Sequence, residues 1–435
     1  MARIAGCWML AGICWLPIGQ GSSAQEAAPL KELAKLNNVT GTAPAQDRLK
    51  AIMADKEAAK RLVDAGLPLT KEKEKLSYNA ALILALVAAD LKDMPATEAY
   101  FRVCIQQAIK LNSVTKTYQS LIGLVEVFYE NKKYDESARL CQEFLKFEDD
   151  GKERTIVRVI RNPRTGDAEF DEGEDVNTVK RIESLVFRQL VQALAKQKKF
   201  DQAYKIVDNL IKQSDDWRDR QLKGILLRDE GKIEDAIKVY EELIDQVKND
   251  RRMDKAQRKL VVERNQYIMS NLFVDLKQID KATEVLQDLL KANPNDPGYN
   301  NDLGYIWADH DMNLDEAEQL IRKALDEDRK QRKADPDLIP EDDRDKGAYL
   351  DSLGWVLFKK KDYKEAKKVM LEAVEDKNAK HIEIYDHLGD ILIQLNETEG
   401  ALKAWEDGLK HVTDSRRDQE RKKLVEEKVK KPSAK

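Results

Sequence analysis

The sequence predicts an all-α protein built from repeated helix–turn–helix units, and three observations carry that expectation. Turn formers are scarce: 19 Gly and 11 Pro among 435 residues are too few for a sandwich or barrel of many short strands. Charged residues reach 36% and aromatic residues only 6%, a balance that suits solvated helices with one narrow apolar stripe each. A Leu-Gly pair also recurs, at Leu303-Gly304, Leu353-Gly354 and Leu388-Gly389, and each is followed 12 or 13 residues later by an alanine, Ala317, Ala366 and Ala401.

The first 24 residues differ in kind from the rest. Arg3 gives a positive start, Ile4 to Ile18 form an apolar run interrupted by Gly12 and Pro17, and Ser22-Ser23-Ala24 offers small residues for a cleavage site. The segment (1–24) reads as a secretory signal peptide cut near Ala24, and the chain as exported, periplasmic or secreted. The run falls short of the roughly 20 apolar residues that a span needs. No later stretch approaches that length, so no membrane span is expected in the mature chain. Cys104 and Cys141 remain after cleavage. Both sit in apolar helical patterns that favour small buried thiols, with a disulfide between them left open.

Residues 25–76 read as an N-terminal helical segment of two or three short helices, broken at Asn37 to Pro44 and at Gly66 to Pro68. The repeats follow. Beyond the three Leu-Gly units, the same register pairs Ser270 with Ala282, Gly224 with Ala236, Val191 with Ala203, Val125 with Ser137 and, weakly, Val87 with Ala99. The spacing has a physical reason: two antiparallel helices whose axes approach to about 8–10 Å need a small side chain on each where they cross. A bulky residue beside the crossing, Ile321, Met370 or Trp405, then fills the gap. Seven or eight units result, over roughly residues 79–415, degenerate at 77–150 and regular at 181–415.

Three breaks interrupt the period. Residues 151–180 form an insertion in which apolar and polar residues alternate around Asn162-Pro163-Arg164-Thr165-Gly166, which reads as a β-hairpin near 152–172 or an acidic loop. About 12 extra residues around Asp250 to Arg258 keep helix-forming composition and lengthen two helices. Ala334 to Arg344, with Asp335-Pro336 and Ile339-Pro340, forms a loop. The end, 416–435, reads as a charged capping helix and tail, with Leu424 and Val425 covering the last apolar face.

This pattern resembles the tetratricopeptide repeat family, whose unit is a 34-residue helix–turn–helix with a Leu-Gly pair and a central Ala. The segments Leu303-Gly304-Tyr305-Ile306-Trp307-Ala308-Asp309 and Asp351-Ser352-Leu353-Gly354-Trp355-Val356-Leu357-Phe358 are similar to exported bacterial members. The resemblance implies a right-handed α-solenoid in which the first helices of successive repeats line a concave groove. Carried onto this chain, it places Arg188, Gln192, Lys196, Arg218, Gln221 and Arg228 on that face in the middle units. Tyr267, Asn271, Asn301, Tyr305 and Asp309 follow, then Asp351, Trp355, Asp386 and Asp390. The groove would run from basic to acidic and bind a protein or peptide in a salt-dependent way. The family's clamp for a chaperone's C-terminal tail uses Lys and Asn where this chain has Asp351, Asp386 and Asp390, which speaks against carboxylate binding at this end.

Catalytic chemistry is not expected. His381 and His387 are six apart and His310 and His411 stand alone, so no metal-ligand spacing appears. Ser113-Val114-Thr115-Lys116 has a nucleophile-like Ser-x-x-Lys spacing but no Lys-Thr-Gly partner and lies in an inter-repeat turn. The acidic stretch Asp167 to Asp175 lacks a calcium-loop register. With 75 basic and 80 acidic side chains, net charge −5, no global positive field exists to hold nucleic acid. No cofactor is expected. The leading expectation is a non-enzymatic protein-interaction scaffold. The alternative is a structural component of an envelope complex, a homo-oligomer in which the basic tail of one chain meets an acidic surface of another.

Overall fold

The structure, a computed structural model, describes residues 22–432 other than 73–74, 112, 146–175, 214–215, 337, 339–342 and 378. The expected hairpin near 152–172 and the leader up to residue 21 lie outside the described residues. Among the described residues the regular structure is helical throughout. The chain divides into two compact units, 1–239 and 240–435.

The first unit opens with α1 (Ser22–Asn37), α2 (Thr42–Met53) and α3 (Lys56–Gly66), then a 3-10 turn, Leu67–Lys71. The breaks fall where expected, with a further one at Asp55, whose carboxylate accepts from the amides of Glu57 and Ala58 and so starts α3. These helices are tied to the repeats by specific bonds. The Asn37 side chain donates to the Lys75 carbonyl and accepts from the Ser77 amide, both at 2.8 Å, and the Tyr100 hydroxyl donates to the Val63 carbonyl at 2.6 Å.

Helical hairpins follow: α4 (Tyr78–Asp90) with α5 (Met94–Lys110), α6 (Val114–Glu130) with α7 (Tyr134–Leu145), and α8 (Val176–Lys196) with α9 (Phe200–Gln213). α10 (Trp217–Glu230) packs on α9, and α11 (Ile233–Asn249) follows it after the turn at Gly231. One core runs from Leu33 and Leu36 through Tyr100, Phe101 and Phe128 to Leu190 and Leu226. Cys104 and Cys141 are free thiols buried within it. Ser113, singled out for its spacing to Lys116, is the N-cap of α6: its hydroxyl accepts from the Lys116 amide.

The second unit continues with α12 (Lys255–Asp275) and α13 (Ile279–Ala292), α14 (Pro297–Asp309) and α15 (Leu314–Lys333), α16 (Gly347–Lys359) and α17 (Tyr363–Ala373), and α18 (Ile382–Gln394) and α19 (Thr398–Leu409). α20 (Arg416–Lys430) ends the fold. The extra residues near 250 lengthen α11 and α12, and the described residues between α15 and α16 form a loop, both as expected.

The small-residue rule acts where the helices cross. A Cβ added at Gly304 would lie 2.8 Å from the Ala317 carbonyl oxygen, and one at Gly389 would collide with the Trp405 indole ring. Ser137 holds the alanine position in its unit because its hydroxyl reaches the Val125 carbonyl, 3.3 Å away, within the same crossing.

Each turn between paired helices holds a residue of left-handed conformation, Lys92, Lys132, Lys198, Gly231, Lys277, Asp311, Lys361 or Asn396, and the turn at Asp311 has a second, Asn313. The next amide bonds back across the end of the helix, as from Asp93 to Ala88 at 2.9 Å, Lys232 to Leu227 at 2.8 Å and Glu397 to Leu392 at 2.9 Å, which closes the first helix with a Schellman turn. This turn corrects the register of the first hairpin. With Lys92 at the left-handed position, the small pair is Ala85 with Thr97, both fully buried, rather than Val87 with Ala99.

Candidate protein-binding face of the C-terminal repeats

In the second unit α14, α16 and α18 are the first helices of three consecutive hairpins, and their facing side chains form one connected polar and aromatic cluster. Tyr305 on α14 donates to Glu383 on α18 at 2.7 Å. Trp355 on α16 donates through its indole nitrogen to Asp309 at 3.0 Å and stacks on His387 of α18, ring centroids 4.0 Å apart. His387 Nδ1 lies 2.8 Å from Asp351 Oδ1. Burial fixes the imidazole in place, since His387 is 1% exposed and Asp351 6%.

The C-terminal helix covers this cluster. Arg421 donates to Asp386 at 3.1 Å and to Glu383, and its Nη1 lies 3.4 Å from His387 Nε2. Lys428 bonds Asp386 at 2.5 Å and Asp390 at 2.7 Å. At the other end of α20, Arg417 bonds Asp275 at 2.7 Å and the Asn271 carbonyl at 3.3 Å. Asp386, 4% exposed, thus receives two cations from one helix.

The electrostatics follow from this arrangement. Burial raises the Glu383 carboxyl, but the charges of Arg421, His387 and His381 and the Tyr305 hydroxyl together outweigh it and hold the value below the usual one. Asp390 moves the other way: burial and the neighbouring Asp386 carboxylate raise it despite Lys428. Burial also pushes the Tyr305 phenol well up, so it stays a hydrogen-bond donor.

The residues expected on a groove are therefore of three kinds. Asn271 and Asp309 are exposed. Tyr267 and Tyr305 are half-buried; Tyr267 donates to Asp302, and the Asn301 side chain is buried beside that carboxylate, 3.2 Å from it. Asp351, Trp355 and Asp386 are buried and Asp390 half-buried, where solvent-facing positions were expected, because α20 and neighbouring aromatic rings lie over them.

In the first unit, the Arg188 guanidinium bonds Asp216 at 2.8 Å and Asp219 at 2.7 Å. Arg218 pairs with Asp216 and lies over the Trp217 ring, Arg228 pairs with Asp229, and Gln192 is half-buried. The basic stretch is thus largely neutralised within itself. Asp216, the N-cap of α10, was signalled by its place before a helix; Glu383, His387, Arg421 and Lys428 carried no such mark.

Of the remaining histidines, His381 caps α18 and lies 3.1 Å from Asp418, and His310 Nδ1 lies 3.0 Å from the Ile306 carbonyl. No group of His, Cys, Asp or Glu suited to a metal ion occurs among the described residues, and no described helix is long and apolar enough to cross a membrane.

Residues 269–332 match a family model described as tetratricopeptide repeat, and residues 348–375 match a second of the same description. No curated protein matched the sequence. Among solved structures, the chain is similar to a tetratricopeptide repeat protein from Parabacteroides merdae ATCC 43184 at 12% identity and a TM-score of 0.45, covering 71% of this chain and 98% of that one. It is also similar to a MamA fragment, residue 41 to the end, from Desulfovibrio magneticus RS-1, at 15% identity, a TM-score of 0.33 and coverage of 46% and 99%. A thermophilic TPR protein of Thermus thermophilus gives 14% identity, a TM-score of 0.36 and coverage of 48% and 98%.

Proposed function

We propose, from the premise that this chain is a tetratricopeptide-repeat protein, that it is a non-enzymatic scaffold, exported after loss of its leader, which holds a protein or peptide against the first helices of its C-terminal repeats. One observation carries the reading. Three successive first helices place Tyr305, Trp355, Glu383, Asp386 and Asp390 on one face, and that face already engages a helix of opposite charge. Aromatic anchors with charged neighbours are what a helix-binding face needs: the rings supply buried area and the carboxylates set register.

The test is capture. Protein lacking residues 1–24 should retain a protein from an envelope extract, and Asn271→Arg with Asp309→Arg, both exposed, should lose it without loss of helicity by circular dichroism. Recovery of a small metabolite and no protein, or capture indifferent to both substitutions, would refute the reading. Export is tested separately: N-terminal sequencing of the envelope form should start close to Gln25.

A further inference from the structure

We propose that the C-terminal helix α20 is a displaceable internal ligand: it occupies the acid-lined face of the last repeats and yields it to a basic helix of a partner protein. The proposal rests on the reading above that this face binds protein, and adds the chemistry of the partner and its control.

The attachment of α20 is mainly electrostatic. Each second helix packed in the repeats buries a run of apolar residues, as α17 does with Ala366, Val369, Met370 and Ala373. The only fully buried apolar residue of α20 is Val425, and Leu424, one position earlier, stays 54% exposed. Besides Val425, the half-buried Val429 and the Asp418 carboxylate beside His381, what holds the helix is Arg417 on Asp275, Arg421 on Glu383 and Asp386, and Lys428 on Asp386 and Asp390. The guanidinium of Arg417 is itself 55% exposed, so salt screens it.

The face beneath dictates what can replace α20. Glu383, Asp386 and Asp390 would lose Arg421 and Lys428, their main counter-charges, if the helix left, and repulsion between Asp386 and Asp390 disfavours an empty face. An occupant must therefore bring cations. Arg417, Arg421 and Lys428 recur at helical spacing with an apolar residue at Val425, so the fitting partner is a basic helix carrying the same pattern. Tyr305, Trp355 and His387 lie on the repeat side of this contact, with His387 Nε2 3.4 Å from Arg421 Nη1. The partner helix thus meets a site its rival already shapes.

The probe is a fluorescein-labelled peptide of residues 413–432, read by anisotropy against the full chain. Arg421→Gln with Lys428→Gln should free the face and bind the peptide about tenfold or more tighter than the parent chain, which must first expel its own helix. Adding Glu383→Gln and Asp386→Asn to the freed chain should abolish that binding. Equal affinity of parent and freed chains, or binding indifferent to the carboxylate changes, overturns the proposal.

Hydrogen exchange on the unsubstituted protein provides a test independent of variant folding: amides of 416–430 should exchange faster at about 500 mM salt than at about 50 mM, with α16 to α19 unchanged. Protection insensitive to salt overturns it. A dimer in light scattering that the peptide dissociates would also overturn it, in favour of tails exchanged between copies. Failure of these tests with partner capture intact would leave the scaffold reading standing.

Discussion

Tyr305 and Glu383 stand 78 positions apart in the chain and are joined by a hydrogen bond of 2.7 Å that skips the intervening repeat. The bond makes three consecutive hairpins one electrostatic unit, because the same carboxylate also receives Arg421. Tyr305→Phe removes the donor and leaves Glu383 with less compensation for its burial. A loss of about 1.5–3 kcal/mol in urea unfolding is expected, the usual range for a hydrogen bond to a charged group. No measurable change would show that Arg421 alone suffices.

Gly304→Ala tests the helix crossing. The new methyl would meet the Ala317 carbonyl oxygen, which belongs to a helix backbone and cannot turn aside. Overpacking of this kind costs about 1–3 kcal/mol. A midpoint unchanged in denaturant would mean that α14 and α15 can separate freely.

Arg188→Ala should be among the most damaging surface-facing changes in the first unit. Asp219 is fully buried, and Arg188 meets its carboxylate through two nitrogens. Removing one member of a buried pair costs about 3–5 kcal/mol. Thermal unfolding of the variant, with Arg188→Lys as the milder comparison, measures it.

His387 gives the protein a pH dependence of definite sign. Burial works against a charged imidazole, but the Asp351 carboxylate outweighs it and the value is raised above 6.5. A raised folded value means that this group's contribution is fully present below its unfolded value and is lost as pH rises through the folded one. The groups around the ring are Asp351 and Trp355 from α16, Tyr305 from α14, Glu383 from α18 and Arg421 from α20. Arg421 lowers the value, so by reciprocity protonation loosens the seat of Arg421. In an NMR titration Arg421→Gln should raise the His387 value and Asp351→Asn should lower it; the opposite order would contradict the assignment.

The two thiols of the first unit should be inert in the folded protein. Burial pushes the Cys141 thiol up to about 12 and raises Cys104 as well. Mass-spectrometric mapping after iodoacetamide treatment near neutral pH should find both unmodified until denaturant is added. Ready labelling of either would place it nearer solvent than its packing indicates.

The repeats were legible because close helix crossing demands small residues, and Gly304, Gly354 and Gly389 announce it without help from context. Periodicity sets the first hairpin two positions too far along because α4 is apolar nearly all round, so its stripe marks no face. Its true marker is Lys92, but a left-handed turn is signalled in sequence by glycine and not by lysine. The carboxylates Asp351, Asp386 and Asp390 were picked out by register, whereas their partners could not be. Spacing shows that Arg421, Val425 and Lys428 share a helical face; only the tertiary fold decides which surface that face covers.

The turn lysines have a thermodynamic meaning for the whole array. A side chain in the left-handed region costs roughly 1–2 kcal/mol, and Lys92, Lys132, Lys198, Lys277 and Lys361 each bear that cost at the junction of a hairpin. Each unit is thereby made a poorer folder by itself, while its interfaces with adjacent hairpins are untouched. In a linear array of weak units and strong junctions, opening one hairpin forfeits contacts on both sides. Within each compact unit the repeats are thus expected to melt as long blocks and not one by one, so that cooperativity here is partly the work of five unfavourable turns.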